Sequence, residues 1–128
     1  MRVLLDTHAL VWSLRDPARL SERARTVIED PESVVVASVV SLWEIVTKIT
    51  VGKMDLGQDV SAWLADEGIS ELPVTGDHVR ALAELPLHHP DPFDRMLVAQ
   101  ARHEGLTLVT ADRRLEAYSV AVMRADAP

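Results

Sequence analysis

The segment Arg2-Val3-Leu4-Leu5-Asp6-Thr7-His8-Ala9-Leu10 carries the clearest structural signal in the chain. Residues 2–6 form a short apolar run that ends in a carboxylate, and this is typical of a strand buried in a parallel sheet. Residues 7–14 are predicted to form a largely apolar helix, which ends at Asp16-Pro17 because helices usually stop before proline. A strand followed at once by a helix is the repeating unit of α/β proteins.

The same alternation of strands and helices continues along the chain. Further strands are predicted at residues 33–37, 71–74, 106–110 and 120–123. Helices are predicted between them at residues 21–29, 39–52, around 60–64, and at 75–85, 92–103 and 112–118. Strands separated by helices imply right-handed crossovers. The predicted fold class is therefore α/β with a central, mostly parallel sheet, and residues 1–128 are predicted to form a single domain.

The composition of the 128-residue chain indicates an ordinary globular protein. Its 48% hydrophobic residues are the share found in ordinary globular proteins. The chain has no cysteine, which excludes disulfides and thiolate zinc sites and fits a cytoplasmic location. The first carboxylate comes too early for a signal peptide, and no apolar run approaches the roughly 20 residues that span a bilayer. We therefore expect a soluble protein that does not associate with membranes.

The charge and the missing motifs exclude several functions. The formal net charge of −7 argues against a general nucleic-acid binder, which normally has a basic balance. It does not exclude a nuclease, because a bound metal ion cancels part of the local negative field. It also suits a partner that brings arginine or lysine. Motifs for nucleoside triphosphates, dinucleotides, zinc proteases and serine hydrolases are missing from the sequence.

Acidic residues mark the places where predicted strands or loops give way to helices. They are Asp6, Glu44, Asp94 and Asp112. If the strands are neighbours, at least three of these acids emerge at the carboxyl edge of the sheet, where α/β proteins bind ligands. Two carboxylates about 4 Å apart repel by roughly 4 kcal/mol, so converging acids require protons or a cation. Oxygen donors without histidine or thiolate favour magnesium or manganese, which would polarise a phosphodiester and activate a water.

Each acid also has a structural explanation. Ser41-Leu42-Trp43-Glu44 matches the capping-box pattern, and Asp91 is well placed to cap a helix that begins at Pro92. Asp6 and Asp112 could cap helices in the same way. On this alternative the chain is a non-catalytic interaction module. A phosphatase or phospho-accepting domain would also use acids at a sheet edge, but Asp6 lacks the second nearby aspartate common in such sites.

Four blocks of sequence resemble the signature segments of PIN-domain proteins and, more narrowly, of the VapC-type toxins of bacterial toxin–antitoxin pairs. They are residues 4–10, 41–44, 91–101 and 108–112, and the Asp-Pro-Phe-Asp-Arg block at 91–95 is the most specific. The resemblance covers nearly the whole chain. It implies a three-layer α/β/α sandwich and an endoribonuclease that depends on Mg²⁺, with Mn²⁺ as a substitute. It also implies an RNA substrate, a cognate antitoxin and a homodimer.

The resemblance also implies roles for individual residues. The catalytic and metal-binding residues would be Asp6, Glu44, Asp94 and Asp112. Asp6 and Asp94 would be the firmest metal ligands, whereas Glu44 and Asp112 would complete the shell, partly through water, or position the attacking hydroxide. Thr7 and Thr110 stand where the family often has a hydroxyl beside the acids.

Several other residues attract attention but have ordinary explanations. His88 and His89 are adjacent in a proline-rich loop, so they are expected to be structural or solvated rather than metal ligands. His78 and His103 are predicted to lie on helix surfaces. Arg95, Arg113 and Arg114 are equally compatible with RNA phosphate contacts and with a solvated face.

An apolar stripe is predicted along the helix at residues 39–52. Its members recur at spacings of three and four: Val39, Leu42, Trp43, Val46 and Ile49. Trp43 is therefore expected in the core or at a subunit interface rather than stacked on RNA bases.

Overall fold

In the computed structural model, which describes residues 1–126, one five-stranded sheet organises the chain. Its strands are β1 (Arg2–Leu5), β2 (Val34–Ser38), β3 (Ser70–Leu72), β4 (Thr107–Thr110) and β5 (Val122–Arg124). They are all parallel, in the spatial order β3-β2-β1-β4-β5. The predicted α/β class with a parallel sheet is confirmed. β3 and β5 are shifted by one or two residues from their predicted bounds, which is within the usual uncertainty of element ends.

Helices connect the strands as predicted. They are α1 (Thr7–Arg15), α2 (Glu22–Glu29), α3 (Val39–Thr50), α4 (Val60–Asp66), α5 (Gly76–Ala83) and α6 (Pro92–Glu104). Residues Pro17–Arg19 and Arg113–Ala117 form short 3-10 helices, the second of them within the helix predicted at 112–118. Within residues 1–126, no helix is long and apolar enough to cross a membrane. The predicted single domain extends to residue 128, and Ala127 and Pro128 lie outside the described residues.

The sheet separates two apolar cores, one on each face. Val3 and Leu5 belong to one core, with residues of α1, α2 and α4, whereas Leu4 belongs to the other, with residues of α5 and α6. Successive side chains of a strand point to opposite faces, so β1 is apolar throughout because both of its faces are covered. The predicted three-layer α/β/α sandwich is confirmed.

The apolar stripe predicted on α3, for which the core and a subunit interface are the two expected positions, does not form the buried face of the helix. The residues of α3 that are buried are Val40, Ser41 and Ile45, whereas Trp43 is 64% exposed. Apolar residues cover more than half of the circumference of α3, so their spacing does not distinguish the buried face from the exposed one. Of the two expected positions for Trp43, the core is excluded and a subunit interface remains.

His78 is also placed differently from its prediction. It was expected on a helix surface but is fully buried. Its backbone N–H and ring take part in a capping box with Thr75 at the start of α5, and its Nε2 lies 2.9 Å from Glu104 Oε1. The ring thus accepts a hydrogen bond from a backbone N–H at the start of α5. The spacing of apolar residues, which predicts α5, gives no indication that a histidine takes this capping role.

Candidate metal centre

The acidic residues are positioned by the carboxyl edge of the sheet. Asp6 directly follows β1, and Asp112 follows the neighbouring strand β4. The Asp6 backbone N–H donates to the Val109 carbonyl at 3.0 Å, so the chain is still held by the sheet where its carboxylate begins. Asp94 lies in the first turn of α6, and Glu44 lies in α3, which follows β2. Mutual repulsion acts between Asp6 and Asp112, and between Asp94 and both Asp6 and Glu44.

Asp6 and Asp94, the inner acids, are the carboxylates whose charge is poorly compensated. Burial raises the pKa of Asp6, although hydrogen bonds from the Thr110 hydroxyl and the Ala9 N–H oppose the rise. Burial, together with repulsion from Asp91 and Asp6, raises the pKa of Asp94 to about 7. Within residues 1–126 neither inner acid forms an ion pair with lysine or arginine. Both therefore favour a proton or a cation over free ionisation.

Glu44 and Asp112, the outer acids, each have a cationic partner. Lys48 Nζ lies 3.1 Å from Glu44 Oε2, and the Thr7 hydroxyl donates to Glu44 Oε1 at 2.7 Å. Arg114 binds Asp112 with two nitrogens, at 3.1 Å to Oδ1 and 3.0 Å to Oδ2. Burial by itself would raise the pKa of Asp112, but hydrogen bonds from Arg114 and His89 outweigh it and hold that pKa at about 2.

The structure adds His89 to the site, a residue expected to be only structural or solvated. Its ring is 2% exposed, and Nε2 lies 2.8 Å from Asp112 Oδ2 and 3.3 Å from Asp94 Oδ2. The Asp91 backbone N–H donates to Nδ1 at 3.0 Å, so Nδ1 has no proton and the ring hydrogen is on Nε2. No sequence pattern indicates this placement, because it depends on the irregular loop between α5 and α6.

Capping explains part of the acidic pattern. Asp6 Oδ1 accepts a hydrogen bond from the Ala9 N–H at 2.8 Å and caps α1, and Asp112 Oδ1 accepts one from the Arg114 N–H at 3.0 Å. Asp91 caps α6 as predicted and leaves Asp94 free of that role. Capping therefore accounts for the helix ends at Asp6 and Asp112 but not for the position of Asp94.

The alternative explanation of Glu44, a capping box with Ser41, is contradicted by the structure. The residue that caps α3 is Ser38, whose hydroxyl accepts from the Val40 N–H at 3.0 Å. Glu44 is instead directed toward Thr7 and Lys48. The helix begins three residues earlier than the capping-box pattern implies, so the carboxylate of Glu44 is available to the site.

A sequence profile of the PIN domain matches residues 3–121. The chain belongs to the PIN-domain family. Ribonuclease VapC22 of Mycobacterium tuberculosis is 34% identical to it over 119 residues, which cover 91% of each chain. The predicted resemblance to VapC-type PIN proteins is confirmed.

Solved structures of toxin–antitoxin complexes share the PIN fold of this chain. VapBC2 from Rickettsia felis, bound to a DNA fragment from its promoter, matches with a TM-score of 0.76 at 15% identity, covering 98% of this chain and 100% of that one. A toxin–antitoxin complex from Klebsiella pneumoniae matches with a TM-score of 0.65 at 17% identity, covering 95% of this chain and 96% of that one. At these identities the matches establish the fold alone.

The side chains of this PIN domain suit a hard divalent cation. The inner acids present carboxylate oxygens with uncompensated charge, and such oxygens are the donors that Mg²⁺ and Mn²⁺ prefer. His89, Asp94 and Asp112 have potential ligand atoms within 4.8 Å of one another. His89 is nevertheless a poor ligand, because its Nδ1 accepts a hydrogen bond and its Nε2 carries the proton. The donor set that remains consists of oxygens.

The raised pKa of Asp94 predicts how the metal-free protein responds to pH. The folded-state pKa, about 7, lies above the ordinary value of 3.8, so the folded state binds more protons than the unfolded state between these values. The free energy of unfolding should therefore fall as the pH rises from about 4 to about 7. Calorimetry in chelator would measure the fall, and Asp94→Asn should make the dependence shallower. An equally steep dependence in that variant would contradict the assignment to Asp94.

Proposed function

We propose that this chain is a metal-dependent endoribonuclease that acts in the cytoplasm as the toxin of a toxin–antitoxin pair. The observation that carries the proposal is the 34% identity to Ribonuclease VapC22 over 91% of both chains. The cluster of acids at the carboxyl edge of the sheet supports it, because this edge is where α/β folds bind ligands. The reaction class is hydrolysis of an RNA phosphodiester.

The acids of the proposed site have different roles. Asp6 and Asp94 would hold Mg²⁺, or Mn²⁺ in its place, and Glu44 and Asp112 would complete the shell. When bound, the ion supplies a Lewis acid for the phosphodiester and offsets the charge that develops on it. Thr110 and the Ala9 N–H orient Asp6, and Thr7 fixes one oxygen of Glu44 so that this residue can position the attacking water. No covalent enzyme intermediate is expected.

Lys48 and Arg114 are proposed to contact the RNA backbone. Each of them neutralises an outer acid, yet their side chains remain 33% and 61% exposed. Long basic side chains at the rim of a site can turn from a carboxylate to a phosphate without rearranging the backbone. They would offset part of the repulsion between RNA and a chain of net charge −7.

The decisive experiment is cleavage of a mixed RNA pool by purified protein free of antitoxin. We expect cutting with Mg²⁺ and with Mn²⁺ and none with EDTA, because the acidic site repels RNA when no cation is bound. Asp77→Asn is a suitable control, since Asp77 is exposed on α5 and paired with Arg80, and it should cut like the parent. Cleavage that persists in EDTA would refute the metal-dependent mechanism. If neither cutting nor metal binding occurs, the chain is an interaction module.

An antitoxin is the proposed partner at the same site. The structural match from Klebsiella pneumoniae is a toxin–antitoxin complex and supports such a partner by analogy. Physically, an arginine or lysine of the antitoxin could enter the site beside Asp6 and Asp94, neither of which is paired with a lysine or arginine within residues 1–126. It would offset those charges and exclude both metal and RNA.

A homodimer is proposed through the exposed apolar face of α3. A groove of about 480 Å³ lies there, lined by Val39, Val40, Trp43, Val74, Leu82, Pro92, Phe93 and Met96. The Trp43 and Phe93 rings form a T-shaped pair with a centroid distance of 4.9 Å, and Trp43 stays 64% exposed. Apolar patches of this kind usually mark an interface.

Light scattering should therefore give twice the monomer mass for the parent protein. Trp43→Glu should yield a monomer, because a carboxylate would be buried without a partner at the interface. Ala62→Glu introduces the same charge at an exposed position of α4 and should leave the dimer intact. A parent protein that is monomeric at all concentrations tested would remove the dimer proposal.

A further inference from the structure

The His89 ring is held from several sides. The Asp91 N–H donates to its Nδ1 at 3.0 Å, and the backbone N–H groups of His88 and His89 both donate to the hydroxyl oxygen of Tyr118, at 3.1 and 3.0 Å. Tyr118 is itself 4% exposed. The loop that carries His89 is thus tied to the segment that follows β4, and the ring has little freedom to rotate.

This fixed ring presents one N–H to two carboxylates on different segments. Its Nε2 lies 2.8 Å from Asp112 Oδ2, after β4, and 3.3 Å from Asp94 Oδ2, in α6. The shorter contact is a full hydrogen bond, and the longer one is a weaker attraction to the same hydrogen. Because Nδ1 accepts a hydrogen bond, the ring is a neutral donor. It brings the two acids together without adding a positive charge that would compete with a cation.

We propose that His89 is a positioning residue for the metal site. It holds Asp94 and Asp112 at a fixed spacing through Nε2–H, and it remains a hydrogen-bond donor, not a ligand, when the cation binds. Arg114 differs in this respect, because its full charge must be displaced or compensated when a cation approaches Asp112. The inference rests on the proposed function only in requiring a divalent cation at this site.

The test uses Mn²⁺ binding to the metal-free protein, followed by electron paramagnetic resonance. His89→Leu removes the donor and should weaken Mn²⁺ binding by about 10- to 100-fold, the usual effect of losing a group that orients a metal ligand. His89→Gln supplies an amide N–H close to the position of Nε2 and should recover most of the affinity. His88→Leu changes the exposed neighbour and should bind like the parent. Equal affinity in the parent and a folded His89→Leu variant would overturn the proposal.

A second measurement needs no substitution and therefore cannot be confused by misfolding. Nitrogen-15 NMR of the histidine rings should show His89 with a proton on Nε2 and none on Nδ1, both before and after Mg²⁺ is added. Loss of the Nε2 proton on adding Mg²⁺ would make His89 a ligand and would overturn the inference. Failure of the parent protein to bind Mn²⁺ would instead refute the metal site itself, so the two failures are distinguishable.

Discussion

Asp94→Asn is expected to reduce metal-dependent RNA cleavage by about 10³-fold or more. A bound cation contributes several kcal/mol of charge stabilisation to phosphodiester hydrolysis, and each 1.36 kcal/mol corresponds to a factor of ten in rate. The same change should raise the melting temperature of the metal-free protein near pH 8. It removes a carboxylate whose pKa is raised to about 7 by burial and by neighbouring acids. Activity and stability should thus move in opposite directions.

Asp91→Asn is the matched control for this prediction. It makes the same chemical change three residues earlier, at the N-cap of α6, where asparagine serves nearly as well as aspartate. Cleavage should stay within a few-fold of the parent. Cleavage rates, metal affinity and melting temperature would be measured for both variants. An Asp94→Asn protein that cuts RNA at the parental rate would show that the inner acids do not hold the catalytic ion.

Leu4→Ala is expected to lower the free energy of unfolding by about 2–5 kcal/mol, which is a large part of the roughly 5–15 kcal/mol of a typical domain. Leu4 lies in β1, at the centre of the sheet, and is fully buried in the core beneath α5 and α6. Its loss would leave a cavity that packed neighbours on both sides prevent from closing.

Urea denaturation would measure the effect of Leu4→Ala. Val34→Ala is the control, because Val34 pairs with Arg2 of β1 in the register of the sheet but is 47% exposed. Val34→Ala should lower the free energy of unfolding by much less than Leu4→Ala does. If both substitutions lowered the free energy of unfolding equally, burial at the centre of the sheet would not be what stabilises the fold.

The elements predicted best from the sequence are those set by local signals. β1 is an apolar run ended by Asp6, and α6 has a proline at its first position and ends at Gly105, which adopts the left-handed conformation with φ 68°. Asp6 and Asp112 were placed together because each follows a strand, and parallel strands bring their carboxyl ends to one edge. Local chemistry was sufficient for these features.

The features of the fold and the site that the sequence does not predict depend on contacts between segments far apart in the chain. His89 reaches Asp112 across 23 positions of chain, and His78 reaches Glu104 across 26. The periodicity of helices and strands predicts contacts only between residues a few positions apart, so it predicts neither of these. The buried face of α3 is a further example, because Trp43 and Ile45 are both apolar and only the packing of the neighbouring elements decides that Ile45 is the buried one.

The strand order determines when, during synthesis of the chain, the acidic site can form. β1, the first strand made, lies between β2 and β4, so the pairing that brings Asp112 beside Asp6 has to wait until residues 107–112 have left the ribosome. Asp94 and Glu44 likewise come from segments made at intermediate times. A nascent chain therefore carries an incomplete acidic site until residues 107–112 have emerged and β4 has paired with β1. Its own messenger and ribosomal RNA are exposed to the complete site only once the last acid has joined the fold.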